Sequence, residues 1–101
     1  MVESLCRSFE HDIHAARGVT VTANHVVMDM YAGQQFTYSL NGAHQVIRVQ
    51  RGGGVAVVSA GLNEFAAVAN GKLVRVHATL EDGTTADFDG QVGILGSDDT
   101  T

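Results

Sequence analysis

His77 and Asp87 are the residues in this 101-residue chain best placed for chemistry. A carboxylate beside an imidazole orients the ring, raises its pKa and can ready it as a general base. Whether the two meet depends on the turn between them. A two-residue Asp82-Gly83 turn would set His77 opposite Phe88 and mix polar with apolar faces. A three-residue Glu81-Asp82-Gly83 turn sets Val76 opposite Phe88 and Ala78 opposite Ala86 on one face, with Arg75 opposite Asp89 and His77 opposite Asp87 on the other. The second register sorts the faces and pairs opposite charges across the strands, so it is the one expected. No serine or cysteine is brought beside the pair by any readable spacing. A solvated cross-strand ion pair is therefore the primary reading, and catalysis the alternative.

Three further groups invite a chemical reading. His11 and His14 flank Asp12, and residues three apart share a helical face, so two imidazoles could meet one metal ion. Cys6 sits roughly 140° around the same helix and cannot complete the set, which leaves two weak ligands and no expected metal site. Arg48, Arg51 and Arg75 would form a small carboxylate pocket if their strands were neighbours. The run Arg51-Gly52-Gly53-Gly54 resembles a phosphate loop in composition. Such a loop needs a following helix and a Lys-Ser/Thr pair. Here a valine-rich stretch follows instead, so a tight turn is expected, with Val49 facing Val55 and Ile47 facing Val57.

These side chains must be positioned by a mostly β chain. Val, Ile and Thr together number 25, and β-branched side chains favour a pleated surface. Residues 1–17 are the exception. At 100° per residue, Val2, Leu5, Cys6, Phe9, Ile13 and Ala16 fall in one sector about 100° wide, which predicts an amphipathic helix ended by Gly18. From residue 19 the period changes to two, with a bulge or break expected near Asn24 and His25. Met28, Met30 and Tyr31 are assigned to packing. Asn41-Gly42 predicts a two-residue hairpin turn, with Leu40 opposite Ala43 and Phe36 opposite Ile47. Residues 62–69 place Leu62, Phe65, Ala66 and Ala69 at helical spacing and are expected to form a short helix, although the length also suits a strand and Asn70-Gly71 would close either one.

In this register Val46 opposes Val58 on the face turned away from Ile47 and Val57, leaving part of the sheet apolar on both sides. One side can take the helix. The other needs a second sheet, closure into a barrel, or a partner chain.

Charge narrows the functional classes. Residues 1–78 hold five acids and six bases, net +1; residues 79–101 hold six acids and no base, net −6; together they give −5. So acidic and lysine-poor a chain is a poor counterion-displacing surface, and no nucleic-acid partner is expected. The single cysteine excludes an internal disulfide and suits a reducing compartment. No apolar block resembles a signal peptide or a membrane span, so a cytoplasmic protein, or one incorporated into a larger assembly, is expected.

The sequence thus predicts one domain over residues 1–101: a helix over 1–17, a β-rich body over 19–95 and an acidic tail over 96–101. The expected fold is α+β and β-dominant, the helix packed on an antiparallel meander of six to eight strands forming a sandwich or small barrel. Turn spacing alone would suit an immunoglobulin-type sandwich, but the Cys and Trp landmarks of that fold are missing. The leading functional expectation is a non-catalytic interaction or assembly module without cofactor, self-associating or bound to a protein scaffold, such as a subunit of a large particle like a virion, with Val46 and Val58 among its contacts. The alternative is a small-ligand-binding or hydrolytic barrel using His77, Asp87 and an arginine.

Overall fold

The computed structural model describes residues 2–93; the predicted acidic tail over 96–101 lies outside them. One helix, α1 (Val2–His14), precedes eight strands: β1 (Ala16–Thr22), β2 (His25–Met30), β3 (Gln35–Leu40), β4 (Gln45–Gln50), β5 (Val55–Ala60), β6 (Leu62–Asn70), β7 (Leu73–Leu80) and β8 (Thr85–Gln91). Strands β1 to β5 form one antiparallel sheet in sequence order, and β6 to β8 form a second. The α+β, β-dominant meander with an N-terminal helix is therefore present, as two sheets and not as a closed barrel.

The helix seam is as its periodicity requires: Leu5, Phe9 and Ile13 are fully buried, while Glu3, Arg7, Glu10 and His11 face solvent. Glu3 in the first turn complements the helix dipole. Phe9 joins the layers, its ring lying edge-on to Tyr38 of the first sheet and to Phe88 of the second, each at 5.5 Å between centroids. Gly90 of β8 lets the helix approach closely, since a Cβ there would lie 2.6 Å from Ile13 Cγ2.

The helix stops earlier than residue 17. Ala16 already pairs with Met30, and a register shift between Ala16 and Gly18 marks a bulge at Arg17. Gly18 is thus a strand residue and not a helix cap, because the β2 ladder captures the backbone first. The expected break near Asn24 is a chain reversal. Ala23 and Asn24 both adopt positive φ (49° and 62°), and Thr22 pairs with His25, as in a type I′ turn.

The Asn41-Gly42 expectation is corrected in its register. Asn41 N–H donates to Gln45 O, so the loop holds three residues, with His44 at φ 62° in the left-handed position. Asn41 Oδ1 accepts from the amides of Ala43 (2.9 Å) and Gln45 (3.0 Å), spending the side chain on an Asx turn. His44 also exchanges bonds with the second sheet, Leu62 N–H donating to His44 O at 3.0 Å and Leu62 O lying 3.0 Å from His44 Nδ1. In consequence Leu40 faces Val46 and Phe36 faces Gln50. This odd-numbered slip exchanges the two faces of β4 relative to the predicted pairing with β3.

The next hairpin follows the expected register, Val49 facing Val55 and Ile47 facing Val57. Its turn is a hairpin turn and not a phosphate loop, with Gly52 carrying the positive φ of 75° that a type II geometry needs. Beyond Ile47 a bulge sets Val46 opposite Ser59, so Val46 does not face Val58.

The predicted helix over residues 62–69 is the strand β6. A bulge between Leu62 and Glu64 puts Leu62 and Phe65 on the same buried side, which reproduces a helical spacing of three inside a strand. Pairing with β7 decides the matter, Phe65 facing Ala78 and Ala67 facing Val76. The last hairpin takes the predicted register throughout.

Candidate functional site

The outer face of the second sheet carries the predicted pair. His77 Nδ1 lies 2.6 Å from Asp87 Oδ1, and beside them Arg75 Nε lies 3.7 Å from Asp89 Oδ2. The groups line a shallow hollow of about 440 Å³ whose apolar wall includes Ala66 and the exposed Val68. The hydrogen bond to Asp87, and then its negative charge, raise the His77 pKa above the usual imidazole value. With Nδ1 engaged, Nε2 is the nitrogen left for a ligand or a proton. The nearby Thr79 hydroxyl donates to Glu64 Oε1 at 3.2 Å. Cys6 lies on the helix, and burial followed by the charge of Glu10 pushes its thiol pKa up, away from a reactive thiolate. The arrangement can bind a proton or orient a small polar ligand; among the described residues it brings no nucleophile beside a base.

The three arginines are dispersed. Arg75 stays with Asp89. Arg51 is exposed at the β4–β5 turn, its backbone amide donating to Gln35 O at 2.9 Å. Arg48 turns to the helix side of the first sheet, where Nε donates to Asp12 Oδ2 at 2.5 Å and Nη2 to Asp12 Oδ1 at 3.1 Å. The carboxylate pocket that Arg48, Arg51 and Arg75 would form on neighbouring strands is therefore not assembled, because Arg75 lies in the second sheet and the β4 slip sends Arg48 inward.

Arg48 instead belongs to a buried polar cluster. Asp12 is 3% exposed and also accepts from the Tyr38 hydroxyl at 2.6 Å, while Ser8 Oγ lies 2.6 Å from the same hydroxyl. Burial, and then the hydrogen bond to Asp12, push the Tyr38 pKa well above the usual phenol value. The bond to Asp12 likewise raises that of Arg48. The guanidinium carbon lies 3.7 Å from the Phe36 ring centroid, so the side chain is held on two sides. A signal for Asp12 exists in the sequence, since the helical period places it about 20° from Leu5, beside the apolar sector.

His11 is exposed, its Nδ1 lying 3.6 Å from Asp12 Oδ1. Among the described residues, no group of three or more His, Cys, Asp or Glu side chains converges on a point that could hold a metal ion. No described helix is long and apolar enough to cross a membrane.

The apolar surface also lies elsewhere than predicted. Val46 is fully buried and Val58 half-buried, both packed within the chain, so Val46 is not available to a partner. Their neighbours on the other face are open: Val55 is 64% and Val57 55% exposed, with Ile47 and Val49 half-buried behind them. No family model, curated protein or solved structure matches the chain.

Proposed function

We propose that this chain is a self-associating assembly module whose copies meet along β5. The observation that carries the reading is the exposure of Val55 and Val57 on an edge strand. That strand lies in a run without any charged side chain from Gly52 to Asn63. An uncharged apolar edge presents unpaired backbone groups that another strand can take up. Every copy carries a net charge of −5, so two copies repel wherever charge is dense and approach most readily where it is absent. A second copy of β5 supplies the same neutral, valine-rich strand, and antiparallel pairing about a two-fold axis is self-complementary. Larger assemblies, up to a shell or tube, would add further contacts to this one.

Light scattering across a dilution series tests the proposal. The expected result is a mass at or above twice the monomer value of 10.6 kDa, falling to the monomer when Val57→Lys places a charge on the edge. A monomer at millimolar concentration would overturn it.

The 2.6 Å His77–Asp87 contact favours one second reading, a small-ligand or hydrolytic site on the outer face of the second sheet. It requires that His77→Ala abolish binding or turnover while leaving the thermal midpoint nearly unchanged. A lowered midpoint alone would mark the pair as structural.

A further inference from the structure

Arg48 also borders a hollow of about 410 Å³ between the end of α1 and the β2–β3 turn, within the size range of small-molecule sites. Its apolar walls come from Ala15, Met30, Tyr31, Ala32 and Phe36, with Arg48, Asp12, His11 and Gln34 as its polar groups. Tyr31 is 57% exposed there, and an open aromatic face offers area to a ligand with few torsions to freeze.

The arginine is prepared for an anion. A guanidinium has five N–H donors in a planar fork. Nε and one donor of Nη2 are spent on Asp12, and the Phe36 ring fixes the plane. The side chain remains 29% exposed and is part of the hollow's lining, so it meets a ligand with its orientation already set, and little rotamer entropy remains to be lost on binding. Because Asp12 offsets much of the positive charge, the site suits a monoanion and disfavours a dianion such as phosphate.

We propose that this hollow binds a small carboxylate with an aromatic or branched apolar body, the body lying against Tyr31 and Met30 and the carboxylate on the free edge of Arg48. The hollow opens on the helix side of the first sheet, and neither Val55 nor Val57 is part of its lining, so the proposal stands apart from assembly along β5.

Titration of the protein with 3-phenylpropionate and with its neutral amide, followed by backbone and Arg48 Nε–H NMR shifts, tests it. The acid is expected to saturate with a Kd on the order of a millimolar, as suits so small a ligand. Shifts should be confined to residues near Ala15, Tyr31, Ala32 and Arg48, and the amide should bind about tenfold more weakly. Tyr31→Ala, at an exposed position, should weaken the acid several-fold with an unchanged thermal midpoint, and Arg48→Lys should remove the preference for acid over amide. The Val57→Lys variant should bind like the parent. Shifts that fail to saturate, equal binding of acid and amide, or full affinity in Tyr31→Ala would overturn the proposal.

Discussion

Arg48 on β4 and Asp12 on α1 share two hydrogen bonds, of 2.5 and 3.1 Å, across a sequence separation of 36 residues. They pin the helix to the first sheet within a small polar cluster that also takes in Ser8 and the Tyr38 hydroxyl. A carboxylate removed from water is tolerated here because each of its oxygens has a donor from Arg48 and Tyr38 adds a third, while Arg48 keeps part of its hydration.

Removing one partner should be costly. Asp12→Ala leaves the Arg48 charge without its acceptor and the Tyr38 hydroxyl with Ser8 alone. Because Arg48 is 29% exposed, a loss at the low end of the buried-pair range, about 3 kcal/mol, is expected from urea unfolding. Replacing Asp12 and Arg48 together with apolar residues should cost clearly less than that single change.

Gly90 should not accept a side chain. The Cβ of Gly90→Ala would sit 2.6 Å from Ile13 Cγ2 and 3.3 Å from Phe9 Cε2, so the helix must move off β8. A destabilisation of about 1 to 3 kcal/mol is expected. In a double-mutant cycle with Ile13→Ala, the two effects should fall short of their sum.

Ala23 bears a strained conformation that glycine would relieve. At φ 49° its Cβ crowds the backbone, and the first position of this turn favours residues at home with positive φ. Ala23→Gly should therefore raise stability by about 1 kcal/mol, read as a higher denaturant midpoint with an unchanged slope.

His77 should titrate above the free imidazole value, since Asp87 stabilises its protonated form. A folded pKa above the unfolded one means that this contribution is fully present below about pH 6.5. It is lost as pH rises through the folded pKa. NMR titration of the His77 ring should show the raised midpoint, and Asp87→Asn should return it toward the free value. An unchanged midpoint in that variant would assign the shift to something other than the pair.

How much of this was legible from the residues differs by hairpin. The β7–β8 register could be read because only one turn length sorts Val76, Ala78, Phe88 and Ala86 to one side, and the β4–β5 turn for the same reason. Asn41-Gly42 misled because the usual hairpin preference of that dipeptide is outweighed by two bonds from the Asn41 side chain and by the docking of His44 on Leu62. Residues 62–69 misled because a bulged strand and a two-turn helix can present the same spacing of apolar residues.

Patterning alone therefore determined the class of the protein: an amphipathic helix, then strands of alternating polarity bent at Gly-containing turns, and the cross-strand neighbours of His77 and Arg75. These are local properties, set by side-chain period and turn chemistry within about a dozen residues. Which valines face water, and where Arg48 finds its carboxylate, were settled only in three dimensions. One side-chain cap at Asn41 and one bulge near Val46 redirect β4 and β5, and their energies depend on contacts with residues far along the chain.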